Sequence, residues 1–165
     1  MQNLHDTPAP LIWVSIQPED FDIAALQQAL LGNAAREGAV ATFTGYVRNP
    51  PAETALAALE LEHYPGMTEA SINAIIERAT ERWPLLAAAV VHRVGKLRPG
   101  ERIVWVGVAS AHREAAFEAC EFIMDYLKTR APFWKKEHVA GGARWVEARD
   151  SDATRARRWA ASGAT

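Results

Sequence analysis

The spacing of apolar residues changes several times along the chain, and each change separates a strand-like segment from a helix-like one. Short apolar or alternating runs predict strands at 11–17, 38–48, 56–64, 87–94, 102–110, 133–139 and 144–146. Apolar residues three and four positions apart predict helices at 22–31, 68–83, 111–130 and 151–160. Strands and helices are mixed without strict alternation, which favours an α+β fold with a largely antiparallel sheet.

Residues that begin or end regular structure set the boundaries of these segments. Thr68 and Ser110 are the predicted N-caps of the two long helices, and Pro84 and Pro132 end those helices. Consecutive prolines place the segment 50–54 in a loop, because proline cannot continue a central strand.

The segment 102–110 is apolar on both of its faces. Trp105 points away from Val104 and Val106, because side chains alternate along a strand. Such a strand is typical of the centre of a sheet that is covered on both sides. We therefore expect this strand to be central.

Composition narrows the classes of function without selecting one. The 165 residues suit one domain over 1–165, and the formal net charge of −2 does not favour a nucleic-acid or membrane partner. No apolar run approaches the length of a membrane span, and 1–10 has no signal-peptide pattern. We expect a cytoplasmic protein whose ends, about 1–10 and 160–165, are flexible.

The cysteine and the histidines predict neither a disulfide nor a metal site. Cys120 is the only cysteine, and it falls on the apolar stripe of the helix 111–130, so we interpret it as a core residue. The histidines lack the spacing of metal ligands; they are His5, His63, His92, His112 and His138. We expect no bound metal and no cofactor.

Four polar residues within the predicted strands have ordinary explanations. Packing or exposure accounts for His63 and His92 better than catalysis does. Glu60 and Glu62 fit the solvated face of a half-exposed strand.

The first candidate site lies where the strand 102–110 meets the next helix. With Ser110 as the N-cap, His112 and Arg113 fall in the first helical turn. That end of a helix carries partial positive charge and prefers acidic side chains. Free backbone N–H groups together with an arginine and a histidine form an anion-binding arrangement. The alternative is that both side chains point to solvent.

Two further candidate sites are rich in cations. Lys128 and Arg130 close the same helix, where cations suit the helix dipole, and Lys135 and Lys136 follow with opposite orientations on a strand. A lysine among aromatic and cationic neighbours can lose its proton more readily and act in proton transfer; a purely structural role is the alternative. Arg48 ends a strand beside the proline-rich loop, a usual place for a binding residue.

Five sequence runs together resemble the large, catalytic subunit of molybdopterin synthase. They are FTGYVRN at 43–49, LEHYPGMTE at 61–69, SAHREAAFEAC at 110–120, FIMDYLKTRAPFWKKE at 122–137 and RWVEAR at 144–149. The runs occur in the order and spacing of that family and cover about 38–158. The segment MDYLKTRAPFWKKE is far more specific than a short motif.

The resemblance implies an α/β-hammerhead fold with a mainly antiparallel sheet and an additional small sheet. It also implies a homodimer in which each large subunit carries a small ubiquitin-like sulfur-carrier subunit ending in Gly-Gly, which gives a heterotetramer. The carrier's C-terminal thiocarboxylate would deliver two sulfurs in succession to cyclic pyranopterin monophosphate. The product would be the dithiolene of molybdopterin, so the resemblance implies a sulfurtransferase of molybdenum cofactor biosynthesis.

The resemblance also assigns residues to the site. Its two catalytic lysines match Lys128 and Lys135, with Lys128 expected to be the catalytic lysine and Lys135 to position the pterin or the thiocarboxylate. The implied substrate-binding residues are Tyr46, Val47, Arg48, His112, Arg113, Lys128, Lys135, Lys136 and Glu137. The resemblance places Phe43, Met124 and Arg149 near the pocket.

One segment departs from the family, and two other functions compete with this interpretation. The residues NPPAET at 49–54 stand where relatives often have a glycine-containing polar loop, so no contact is assigned there. A non-enzymatic module could use the basic cluster to bind RNA or a phosphorylated partner, but the sequence lacks the RNP1 aromatic pattern and an excess of positive charge. An enzyme of the same fold with altered activity is the other alternative, and the presence of both lysines argues against it.

Overall fold

The computed structural model describes residues 8–32, 35–49, 55–147 and 149–161. Its strands are β1 (Leu11–Gln17), β2 (Ala39–Tyr46), β3 (Leu56–His63), β4 (Leu85–Arg93), β5 (Gly95–Leu97), β6 (Arg102–Ser110), β7 (Phe133–Val139) and β8 (Gly142–Val146). Its helices are α1 (Ile23–Ala29), α2 (Met67–Arg82), α3 (Arg113–Arg130) and α4 (Asp150–Ala161).

The strands form two four-stranded sheets. The main sheet has the order β1-β4-β6-β2, and the second sheet has the order β5-β3-β7-β8. Only the pairing of β1 with β4 is parallel among the described strands. This arrangement confirms the α+β class, the mainly antiparallel sheet and the additional small sheet expected from the sequence.

The central position predicted for the strand 102–110 is confirmed, because β6 lies between β4 and β2. Val104 and Val106 pack in the core shared with α2 and α3, and Trp105 packs on the opposite face beneath α1. Gly107 is required beside that tryptophan: a Cβ there would lie 2.3 Å from the Trp105 ring and 2.6 Å from Leu30. Any larger residue at 107 would therefore force α1 away from the sheet.

The predicted N-caps Thr68 and Ser110 are both wrong, because their hydroxyl groups donate hydrogen bonds to carbonyl groups of other segments. α2 begins at Met67, and Thr68 lies within its first turn, where its Oγ1 donates to the carbonyl of Pro132 at 3.0 Å. Ser110 ends β6 and its hydroxyl donates to the carbonyl of Pro84 at 2.8 Å, so His112 is the N-cap residue of α3. The strand β5 was not predicted from the sequence, because a strand of three residues is too short to show an alternating pattern of apolar residues.

α4 is held against α3 by one buried carboxylate. Asp125 of α3 accepts hydrogen bonds from Arg155 Nε (3.3 Å), Arg158 Nη2 (3.0 Å) and Trp159 Nε1 (2.8 Å). Glu121, one turn earlier, accepts a further bond of 2.9 Å from Arg155 Nη2. The helix expected at 151–160 is confirmed, and these bonds explain why a short polar helix is stable there.

Several sequence expectations fall outside the described residues. The proline-rich loop 50–54 does so, as do 1–7 and 162–165 of the two ends expected to be flexible. No described helix has the length and apolarity that a bilayer crossing demands.

We expect Asp125→Ala to lower the free energy of unfolding by roughly 1–3 kcal/mol, because three donors lose a shared buried acceptor. The loss should be concentrated in α4. Urea denaturation measures the first effect, and amide hydrogen exchange within α4 measures the second. Glu62→Gln, at an exposed position on β3, is the control and should change neither. An unchanged unfolding midpoint for Asp125→Ala would contradict this account of how α4 is anchored.

Candidate active site

Two lysines meet at the end of α3, where the chain turns back into β7. Lys128 lies in the last turn of α3 and Lys135 lies on β7. The turn between them is fixed by the hydrogen bond from Thr68 to the carbonyl of Pro132. The two side chains are close enough for the positive charge of Lys128 to act on the amine of Lys135. The structure thus brings together the two lysines that the resemblance assigned to catalysis.

Lys135 is the member of the pair whose proton affinity is altered. Burial, followed by the positive charge of Lys128, lowers the pKa of Lys135 to about 8. The charge of Arg149 acts in the same direction, whereas the carboxylate of Asp152 opposes it. Roughly a tenth of Lys135 is therefore uncharged at pH 7, far more than for an ordinary lysine, so this amine can both accept and donate a proton.

A buried histidine forms the wall behind the lysines. The His92 ring stacks on Phe133 with the ring centroids 3.8 Å apart. Its Nδ1 lies 2.8 Å from the carbonyl oxygen of Arg93, which can only accept, so Nδ1 carries the hydrogen. Burial, together with the charges of Lys135, Lys128 and His63, lowers the pKa of His92 to about 4, although the hydrogen bond to the Arg93 carbonyl acts in the opposite direction. A neutral imidazole therefore faces the lysine pair.

A pocket of about 530 Å³ opens between β2, α3 and α4. It is lined by Ala41, Thr42, Phe43, Phe117, Cys120, Glu121, Met124, Asp125, Lys128, Asp152 and Arg155. Phe43 and Met124, expected near the pocket from the resemblance, thus lie on it together with Lys128. Its walls are mainly apolar with a few charged groups, as is usual for sites that bind small molecules.

A second pocket, of about 600 Å³, lies at the N-terminal end of α3. His112 and Arg113 line it, and Phe117 borders both pockets. The His112 side chain forms no capping hydrogen bond with the helix. The first-turn N–H groups and both side chains can therefore act on a bound anion, as the sequence predicted for this helix end.

The two groups of predicted site residues lie at opposite ends of α3. Fifteen residues separate Arg113 from Lys128 in one continuous helix, which is about 22 Å of axis at 1.5 Å per residue. A ligand much shorter than this distance cannot contact both ends within one copy of the chain.

The end of β2 presents a mixed set of predicted residues. Tyr46 and Arg48 are exposed, whereas the side chain of Val47 is buried. The N–H of Val47 donates to the carbonyl of Glu101 and its carbonyl accepts from the N–H of Gly100. Val47 therefore anchors the segment, and its neighbours on either side are the groups free to meet a ligand.

The remaining predicted residues lie on the second sheet. Lys136 lies over the ring of Trp145 at 4.8 Å, and alternation along β7 places it on the face opposite Lys135. Glu137 pairs with Arg144 at 2.9 Å. Glu60, interpreted from the sequence as solvated, is instead half-buried and pairs with His138 at 2.6 Å; that expectation is wrong because β7 covers this part of β3.

Three site residues were missed by the sequence analysis. His92 was taken for an ordinary strand residue, and neither Asp152 nor Phe117 was considered. Only tertiary packing brings α4 and β4 to the lysines, so no local pattern could have identified the first two. Phe117 did offer a signal, since it is an aromatic residue on the exposed side of an otherwise amphipathic helix.

Comparison with known proteins agrees with this geometry. The MoaE protein family matches residues 16–130. The molybdopterin synthase catalytic subunit of Mesorhizobium japonicum is 57% identical over 151 residues, which cover 90% of this chain and 94% of that protein. A solved molybdopterin biosynthesis MoaE protein from Burkholderia ambifaria superposes with a TM-score of 0.78 at 48% identity, covering 92% of this chain and 99% of that one.

A more distant structure shows the same fold. Molybdopterin synthase from Staphylococcus aureus superposes with a TM-score of 0.76 at 30% identity, over 81% of this chain and 96% of that one. Family match, relatives and structures all span the lysine-bearing end of α3. The chain belongs to the MoaE family, the family of molybdopterin synthase catalytic subunits.

Proposed function

We propose that this chain transfers two sulfurs, in succession, from the C-terminal thiocarboxylate of a small ubiquitin-like carrier to cyclic pyranopterin monophosphate, forming the dithiolene of molybdopterin. The observation that carries the proposal is the Lys128–Lys135 pair, in which a desolvated amine titrates near neutral pH beside a second cation. Sulfur transfer from an anionic donor to an anionic substrate needs both charge stabilisation and proton transfer, and this pair can supply both.

The two lysines then have different tasks. Lys135, whose pKa is about 8, exchanges the proton as the thiocarboxylate sulfur replaces an oxygen on a substrate carbon. Water then cleaves the bond between that sulfur and the acyl carbon of the carrier, which leaves as a carboxylate. Lys128 is exposed at the end of α3 and holds the negative charge of the thiocarboxylate or of the substrate. This division reverses the one expected from the resemblance, because burial acts on Lys135 rather than on Lys128.

The phosphate of the substrate would bind at the N-terminal end of α3, against Arg113, His112 and the free N–H groups. Since that end lies about 22 Å from Lys128 along the same helix, we propose that the two halves of one site come from two copies of the chain. A two-fold axis runs the two α3 helices antiparallel, which brings Arg113 of one copy toward Lys128 of the other.

The exposed surface beside α3 suits such a pairing. β2 is an edge strand of the main sheet in the described chain, and α3 packs beside it. Phe43 on β2 is 41% exposed and Phe117 on α3 is 65% exposed. A second copy would cover both rings and the free strand edge. With one carrier on each copy, the assembly is the heterotetramer implied by the resemblance.

The only cysteine of the chain is unsuited to carry sulfur. Cys120 is buried, and burial raises the pKa of its thiol to about 12. Because the thiolate is the reactive form of cysteine, Cys120 stays inert at physiological pH. This supports a donor that arrives on a separate protein.

Lys128→Ala should abolish molybdopterin formation or nearly so, and should leave the fold intact because the side chain is exposed. Removal of the neighbouring charge should also raise the pKa of Lys135 from about 8 toward its ordinary value. Product formation with thiocarboxylated carrier measures the first effect. The pH dependence of Lys135 acylation, followed by mass spectrometry, measures the second. Lys96→Ala, an exposed lysine on β5, is the control; near-normal turnover of Lys128→Ala would remove Lys128 from the catalytic site.

Arg113→Ala should weaken binding of the pterin phosphate by about tenfold or more, because a charge-assisted contact contributes roughly 1.5–3 kcal/mol. Binding of the carrier, spread over a broad surface, should change much less. Two titrations of the same variant compare these affinities.

Co-expression of the Arg113→Ala variant with the Lys128→Ala variant tests whether the site is shared between two copies of the chain. If Arg113 and Lys128 act across the dimer, each mixed dimer regains one intact site, and activity returns to roughly a quarter of the wild-type value. Sites built within one copy would gain nothing from mixing, and that result would refute the shared site.

Cys120→Ala should retain activity and lose no more than roughly 1–2 kcal/mol of stability, as expected for a smaller core side chain. Turnover with thiocarboxylated carrier and thermal unfolding test the two parts. A folded but inactive alanine variant would show that the sulfur passes through this chain.

A further inference from the structure

Three carboxylates line the pocket between β2, α3 and α4, and their hydrogen bonding differs sharply. Asp125 accepts from Arg155, Arg158 and Trp159. Glu121 accepts from Arg155 and pairs with Arg158. Both of these groups are engaged in the contacts that hold α4 in place.

The third carboxylate has no such partner. Asp152 is half-buried on the first turn of α4 and lines the pocket. Among the residues that the structure describes, its side chain accepts no hydrogen bond and forms no direct ion pair. Its charge acts on Lys135 at longer range. A partly desolvated acceptor without a donor is costly unless a ligand supplies the donor.

The position of Asp152 is fixed rather than adaptable. Its backbone N–H donates to the carbonyl of Arg149 at 3.0 Å, and its helix is clamped to α3 through Asp125. Across the pocket lie the apolar side chains of Phe43 and Met124. A rigid acceptor at the edge of an apolar slot suits a flat ring that carries hydrogen-bond donors along one edge.

The surrounding charges exclude a metal cation as the natural ligand. Lys128 lines the same pocket, and the charges of Lys128 and Arg149 act together with that of Asp152 on Lys135. Arg155 is already paired with Asp125 and Glu121. The remaining positive charges oppose a further cation, whereas neutral N–H donors do not meet this repulsion.

We propose that Asp152 recognises the donor edge of the pterin ring, accepting one hydrogen bond from the exocyclic 2-amino group and one from the adjacent ring N–H. The two carboxylate oxygens match two parallel donors, as they do in arginine–carboxylate pairs. The inference rests on the proposed function, and it makes Asp152 the residue that selects a 2-amino heterocycle. The cationic groups bind the phosphate and the thiocarboxylate.

The test compares two ligands on the assembled enzyme, with the carrier in its unreactive carboxylate form. One ligand is a phosphate monoester of pterin and the other is the same compound without the 2-amino group. Calorimetry is done at pH 6, below the pKa of Lys135 of about 8, so that the lysine stays protonated. The wild-type protein should bind the 2-amino compound about tenfold or more tightly, because the analogue leaves one carboxylate oxygen of Asp152 unpaired.

Asp152→Ala should bind the two ligands equally within about twofold, and Asp152→Asn, whose amide keeps one acceptor oxygen, should lose most of the preference. Asp150→Asn, an exposed carboxylate on the same helical turn, should keep the wild-type preference. The inference is overturned if either folded Asp152 variant retains that preference. A wild-type protein that binds neither pterin phosphate would overturn both this inference and the proposed function. Normal turnover of the substrate by the wild type, with discrimination unchanged in both Asp152 variants, would overturn the inference alone.

Discussion

The packing of α3 against the main sheet determines where every group of the site can lie. The inner face of α3 packs in the core through residues such as Phe122 and Ile123. This packing fixes the rotation of the helix about its own axis. Phe117 and Met124 are therefore turned toward the pocket, and Lys128 is delivered to the turn before β7. Because the helix is continuous, it also sets the distance between the two cationic ends, which in the proposed function a second copy of the chain brings together.

The two lysines of the pair repel each other when both are charged, and the surrounding groups offset this repulsion only in part. Two unit charges about 4 Å apart repel by roughly 4 kcal/mol at an effective dielectric constant of about 20. The site limits this repulsion by keeping His92 neutral and by placing Asp152 within range of Lys135. An arriving phosphate or thiocarboxylate would relieve the rest, so anion binding and lysine protonation are coupled in the proposed function. A bound anion raises the proton affinity of Lys135, and departure of the anion lowers that affinity again.

The sequence predicts elements whose burial is local and misses contacts that only the tertiary fold creates. The two-faced apolar pattern of 102–110 correctly predicted a central strand, because Val104 and Trp105 each meet a covered face. The caps at Thr68 and Ser110 were wrong, since distant carbonyl groups compete for those hydroxyls. The lysines followed from a family resemblance, whereas the separation of Arg113 from Lys128 emerged only once the helix was seen to be unbroken.

Family membership also decides between the alternatives left open by the sequence. A module that binds RNA or a phosphorylated partner would need only a cationic surface, and the cations at the two ends of α3 could have served it. Such a surface does not require a desolvated amine that titrates near pH 8, because a fully solvated lysine binds phosphate as well. Nor does it explain a thiol that burial keeps protonated, with a pKa of about 12, beside the pocket. The pocket can hold anions and move a proton, but no described residue can carry a reactive sulfur. In the proposed function the sulfur therefore enters from outside the chain, on the tail of a carrier that reaches the lysine pair.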